Sequence, residues 1–358
     1  MSELSPYAFD FNDRPFVVIW ETTRACALAC RHCRAEADPH AHPLQLSTEE
    51  GFALIDQIAE IKPPVFVLTG GDPAMRPDLL DLINYSREKG LFPALSPSAT
   101  PRLVKMNFHE LKRAGVHRIS LSIDGPDRAS HDAFRGVKGT WDWTLQAYEK
   151  CFDAGIPVQI NTTITKDNAD RLDDFIDMLE DIEPVLWSVF VLVPTGRGKF
   201  DDLPSPAQLE RLLIRLHEHS LTAPYEIKTT EAPMYRRVQR QHPEIGEFRP
   251  TKRAPLGIND GKGFVFVSHT GEVNPSGFLP LNAGNVRTQH LLDIYRNNPT
   301  FQHLRDPNAL MGKCGQCEYR SLCGGSRARA YAMSGNPFDG DPLCEYQPPM
   351  LMAQRAWA

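Results

Sequence analysis

From Pro15 to about Gly198, short apolar runs alternate with amphipathic stretches of helical period. The runs lie at 16–20, 65–68, 92–95, 119–123, 158–164 and 187–193. They are brief and rich in Val, Ile and Phe, as strands buried on both faces are. Ser47-Thr-Glu-Glu50 opens one intervening stretch as a capping box. Six strand–helix units predict an incomplete (β/α)6 barrel of the TIM type, with its chemistry at the C-terminal ends of the strands. The pattern then changes. Ser205-Pro206 predicts a helix start, with Ser205 as cap and Pro206 at the first position. Residues 207–250 read as a connector with two helices, and 263–276 as a hairpin turning near Thr270-Gly271. The expected division is therefore an N-terminal extension (1–14), the barrel (15–200), a connecting helical segment (201–250) and a small α+β module (251–358).

Composition narrows the function classes. The 358 residues, 41% of them hydrophobic, suffice for a large core. A net charge of -6 gives no basic face for nucleic acid. No apolar run approaches the ~20 residues that span a bilayer, and the N-terminal residues do not form a secretion signal. The expectation is a cytoplasmic protein with neither nucleic-acid nor membrane partner.

Cysteine placement supplies the chemistry. Seven of eight cysteines fall in two groups, Cys26/Cys30/Cys33 and Cys314/Cys317/Cys323/Cys344. In a reducing compartment such groups point to metal or iron–sulfur ligands rather than disulfides. Cys151 stands alone on an expected helix and reads as a buried, inert thiol. The first group has the spacing C-x3-C-x2-C directly after the first strand. Three thiolates on a four-iron cubane leave one iron open. Zinc with His32 as fourth ligand is the alternative on residue type alone. The second group offers four thiolates, enough to close a cubane; zinc is again the alternative.

The first group, at that position, resembles the signature of the radical S-adenosylmethionine (SAM) superfamily. The resemblance implies a SAM-binding [4Fe–4S] cluster on Cys26, Cys30 and Cys33, and a 5′-deoxyadenosyl radical that abstracts hydrogen from a substrate. His32 is similar to the ring residue whose backbone contacts adenine. Thr69-Gly70-Gly71-Asp72-Pro73 resembles the Gly-Gly-Glu-Pro motif that receives the SAM amino group, with Asp72 one methylene shorter. Glycines also let backbone approach a ligand closely. Ser96 and Ser98 after the third strand, and Ser122 and Asp124 after the fourth, match positions that contact SAM. Ordinary strand-end capping is their alternative. Asn161, Thr162 and Val193-Pro194 resemble adenine-contacting stretches. Phe134-Arg135-Gly136 also fits, with no role assigned to Arg135.

The C-terminal group resembles the SPASM or twitch extensions of these enzymes, which carry auxiliary [4Fe–4S] clusters. Ser276 and Ser326 stand where further cysteines occur in full SPASM modules, so one auxiliary cluster is expected. Cys323-Gly-Gly-Ser-Arg-Ala-Arg-Ala-Tyr331 and the Asp-Pro-Leu-Cys344 ending are similar to the alternative haem and haem d1 branch. That branch acts on tetrapyrrole propionates, for example by oxidative decarboxylation. Arg327, Arg329 and Arg197 are candidates to pair with carboxylates, structural ion pairs being their alternative. A peptide maturase is the second enzyme reading; Cys26 stands too near the start for a leader-binding domain to precede the barrel. A non-catalytic electron carrier would need no SAM pocket. A reducing partner such as flavodoxin or ferredoxin is implied.

Overall fold

The computed structural model describes residues 9–247 and 255–356, with side chains to 352. Residues 1–8 of the expected extension, and 248–254 around the boundary expected at 250, lie outside the described residues.

All six expected strands form: β1 (Val17–Glu21), β2 (Val65–Thr69), β3 (Ala94–Leu95), β4 (Arg118–Ser122), β5 (Val158–Ile164) and β6 (Leu186–Val191). They pair in parallel in chain order. Alternation explains the layering. Val18, Trp20, Phe66, Leu68, Ile119, Leu121, Ile160 and Val189 point outward and are buried under the helices. Residues between them face the lumen. The helix Thr48–Ile61 lies so close that a Cβ on Gly51 would stand 2.8 Å from the Trp20 ring. Both expected caps are present. Ser47 and Glu50 form a capping box, as do Ser205 and Gln208 at the helix Pro206–Ser220.

Two features extend the sheet beyond the six units. The 201–250 segment carries its two helices, Pro206–Ser220 and Met234–Gln241, and between them a further strand, β7 (Glu226–Thr230), parallel to β6. The hairpin is β8 (Phe264–Val267) and β9 (Glu272–Asn274), followed by β10 (Gly284–Asn285). It joins the barrel sheet: β8 runs parallel to β1, giving the order β10-β9-β8-β1-β2-β3-β4-β5-β6-β7. β8 thereby pairs the backbone groups that β1 would otherwise leave open at a sheet edge. No helix among the described residues is long and apolar enough to cross a membrane.

Candidate active site

The loop after β1 carries Cys26 and Cys30, both buried, and the half-buried Cys33; all are free thiols. They pack together with Leu28, Ala37 and Val137. Polar groups already aim at the sulfurs. Leu28 N–H donates to Cys26 Sγ at 3.4 Å, and Ser98 Oγ stands 3.3 Å from it. Ala37 N–H donates to Cys33 Sγ at 3.5 Å. Arg135 Nη1 stands 3.7 Å from Cys30 Sγ. Burial pushes the Cys26 thiol above its usual range.

Loops from four neighbouring strands hold this one in place. Gly71 N–H donates to the Thr23 carbonyl (2.8 Å), and Asp72 N–H to the Ala25 carbonyl (2.7 Å). A Cβ on Gly70 would come 2.6 Å from Thr23 O, and one on Gly71 2.7 Å from Ala25 O. These glycines therefore serve first to let the β2 loop lie flat on the cysteine loop. Asp72 is buried and its carboxylate is occupied. Oδ1 accepts from Ala74 N–H (3.1 Å) and Ser98 N–H (3.2 Å), and Oδ2 from Thr100 Oγ1 (3.3 Å). Burial pushes its carboxyl up to about 6. Ser98 Oγ in turn donates to the Gly71 carbonyl at 2.9 Å. Ser96 meets the same region through its N–H, which donates to Leu68 O at 2.9 Å.

On the other side, Ser122 ends β4 and pairs in register with Asn161 on β5. Thr162 faces the opposite way, accepting from Trp187 Nε1 at 3.0 Å. The Asp124 carboxylate accepts from Thr163 N–H at 2.7 Å and binds Arg135 Nη2 at 2.6 Å. Burial opposes its charge, but Arg135 holds the carboxyl below its usual range. Arg135, unassigned from sequence, thus spans Asp124 and the Cys30 thiol. Its only sequence signal was the Phe-Arg-Gly tripeptide. Gly136 closes the contact: its φ is 71°, and a Cβ would stand 2.7 Å from Ala29 O.

After Pro194 the chain turns back onto Cys33. Gly196 takes a φ of 58°, a Cβ there would lie 2.5 Å from Cys33 O, and Arg197 N–H donates to Cys33 O at 3.0 Å. Two buried polar groups at this rim lack hydrogen-bond partners among the described residues: His32 Nδ1, and Nε and Nη2 of Arg197. His32 packs on Phe134 with ring centroids 4.4 Å apart, and burial pushes it down to about 4, so the imidazole is neutral. Three thiols, inward-facing donors and unsatisfied polar edges fit an iron–sulfur cluster with a polar ligand beside it.

The C-terminal thiols Cys314, Cys317, Cys323 and Cys344 line one cleft. Arg327 Nη2 (3.5 Å) and Asp341 N–H (3.4 Å) donate to Cys314 Sγ, and Gly325 N–H donates to Cys323 Sγ (3.4 Å). Burial pushes Cys317 to about 11 and Cys323 to about 12, a cost that metal binding by thiolates removes. Arg327 and Arg329 are buried and engaged by structural partners. Arg327 donates to the carbonyls of Pro337 and Asp339, each at 2.7 Å. Arg329 pairs with Asp341 at 2.8 Å and donates to Leu192 O and Glu231 O, tying this module to the end of β6. Cys151 is buried, and burial pushes its thiol up to about 12, as an inert core thiol requires.

Comparison with known proteins agrees with this geometry. Residues 20–181 match the radical SAM superfamily, and residues 259–318 match the SPASM iron–sulfur cluster-binding domain. The AdoMet-dependent heme synthase of Nitratidesulfovibrio vulgaris is 43% identical over 93% of this chain and 92% of its own. A protein of the same name from Methanosarcina barkeri is 38% identical, over 94% and 98%. Streptococcus suis SuiB bound to S-adenosylmethionine superposes with a TM-score of 0.69 at 17% identity, over 93% of this chain and 78% of that one. The cofactors are accordingly SAM and two [4Fe–4S] clusters, one SAM-binding and one auxiliary. The chain belongs to the radical SAM superfamily and, within it, to the SPASM-bearing group that includes the AdoMet-dependent heme synthases.

Proposed function

We propose that this enzyme oxidatively decarboxylates propionate side chains of a tetrapyrrole: each loses carbon dioxide, one hydrogen atom to the 5′-deoxyadenosyl radical and one electron to an external electron acceptor, and becomes a vinyl group. The observation that carries this reading is the end-to-end likeness to proteins of that name, at 43% identity. When bound, the cluster and SAM supply the 5′-deoxyadenosyl radical.

The chain's own residues divide the remaining work. Cys26, Cys30 and Cys33 hold the SAM-binding cluster, and Cys314, Cys317, Cys323 and Cys344 the auxiliary one. Arg135, fixed by Asp124, places positive charge against the first thiolate set. Gly70, Gly71, Asp72 and Ser98 hold the backbone that faces the SAM amino group. Ser96, Ser122, Asp124, Asn161, Pro194 and the neutral His32 frame the rest of that pocket. Arg197, with two nitrogens lacking partners at the rim, supplies a cation for a carboxylate. The barrel (15–200), connector (201–250) and module (251–358) act as one cytoplasmic unit reduced by a flavodoxin or ferredoxin.

The test is 5′-deoxyadenosine formation by anaerobically reconstituted protein given SAM and a strong reductant, with and without iron-coproporphyrin. A marked increase with porphyrin, and a product lighter by one carbon dioxide and two hydrogens for each propionate converted, is expected. Slow cleavage indifferent to porphyrin would overturn the tetrapyrrole reading and redirect the search to peptides.

A further inference from the structure

Lys228 stands at the middle of β7, on the lumen face of the sheet. Its neighbour Ile227 pairs with Trp187 and points outward into the helix-covered core. Lys228 pairs instead with Ser188, whose hydroxyl lies 3.3 Å from that of Thr230. The register continues across the lumen through Asn161 to Ser122 at the end of β4. Ser122, Asn161, Ser188 and Lys228 therefore form one row of side chains, about 14 Å long at the usual strand spacing. One end of that row lies in the pocket assigned to SAM, and the other carries an ammonium.

Among the described residues, the charged group that acts on that ammonium is itself a cation, Arg118. Its side chain is accessible to solvent on that face. Burial pushes it down to about 8, and Arg118 pushes the same way. Arg118 sits on β4, three strands from β7, so the two cations meet across the curve of the barrel. A cation presented on this face of the sheet draws in an anion. Ser188, Thr230 and Asn161 are neutral, and Glu226, two residues back on the same face, is not among the groups that act on the ammonium.

We infer that Lys228 anchors a carboxylate of the substrate inside the barrel lumen. This rests on the tetrapyrrole reading above. It gives the substrate a fixed point within the lumen, distinct from Arg197 at the rim. A propionate held there would keep the side chain inside the barrel, on the row that leads to the SAM pocket.

The test is an absorbance titration of reconstituted wild type, K228Q and K228R with iron-coproporphyrin and with iron-protoporphyrin, which has the same ring and two fewer carboxylates. Iron content and thermal unfolding check that each variant is folded. Wild type should prefer iron-coproporphyrin roughly tenfold or more, as one charge-assisted hydrogen bond allows. K228Q should lose most of that preference and K228R keep it. A K228Q protein with the wild-type preference, or a wild type that binds both porphyrins equally, overturns the lysine assignment alone. A wild type that binds neither overturns the tetrapyrrole reading and this assignment with it. If K228Q does not fold, amine-reactive labelling of wild type reads the same contact. Iron-coproporphyrin should then protect Lys228 several-fold, and unchanged labelling overturns the assignment.

Discussion

The two cysteine sites are built in opposite ways. The barrel site is a loop with little structure of its own, pressed into shape by its neighbours. The adjacent Gly70 and Gly71, then Gly136 and Gly196, bring three backbone segments against it so closely that a side chain would collide. The C-terminal site is held by charge instead: Arg327 and Arg329 are buried among carbonyls and Asp341. Both keep an Arg–Asp pair behind the sulfurs, Arg135–Asp124 in one and Arg329–Asp341 in the other. The difference follows from ligand number. Three thiols leave one coordination position for a ligand, so unsatisfied groups such as His32 Nδ1 and Arg197 remain at the rim. Four thiols close the shell, and the charged groups around them are consumed in structure.

The largest expected effect separates the sites by activity. Cys30→Ala should reduce SAM cleavage below detection and lower bound iron from about eight to about four atoms per chain. Retained cleavage would show that this loop does not hold the SAM-binding cluster. Cys314→Ala should also halve the iron. It should leave measurable substrate-free 5′-deoxyadenosine formation while product formation is lost. If both variants lose all cleavage, the two sites are not separable as described.

A third prediction concerns the charge that holds the second site. Arg329→Met leaves Asp341 buried without its partner, which costs about 3–5 kcal/mol. Chemical denaturation should show a loss of that size, together with easier release of the auxiliary iron. A loss under about 1 kcal/mol would mean the pair is not a structural tie.

Sequence legibility follows the same division. The six barrel strands were legible as short runs carrying Val, Ile, Leu and Phe, continuous in β1 and β2 and alternating with polar residues in β4 and β5, and the cysteine spacing directly after β1 pointed to the first site. β7 was not legible, because Ile227 is its single large apolar residue among Glu226, Lys228, Thr229 and Thr230. β8 was visible as a strand, but its pairing with β1 depends on residues some 250 positions apart. Arg135 carried no sequence signal that distinguishes a thiol-facing ion pair from an ordinary one. Arg327 and Arg329 were candidates for substrate carboxylates, with structural ion pairs as their alternative, and their burial against Asp341 and backbone carbonyls favours that alternative. Asp72 matched a SAM motif, yet its carboxylate is spent on Ala74, Ser98 and Thr100.

The smallest effect lies on the surface tether between the barrel and the hairpin. Arg287 bonds Glu50 at 2.6 and 2.9 Å and holds its carboxyl at about 2, below its ordinary 4.5. A carboxyl lowered on folding adds stability above its unfolded value and loses it as pH falls toward 2. The pair is partly exposed, so Glu50→Gln should cost under about 1 kcal/mol near pH 7. The difference between wild type and variant should vanish on acidification, and a difference that grows would reverse the assignment.

The most direct test of the open and closed sites is electron paramagnetic resonance of the reduced protein with and without SAM. SAM should shift the signal of one cluster and leave the other unchanged. The shifting signal should be absent in Cys30→Ala and present in Cys314→Ala. A shift of both signals, or a SAM-dependent shift that survives in Cys30→Ala, would contradict the account.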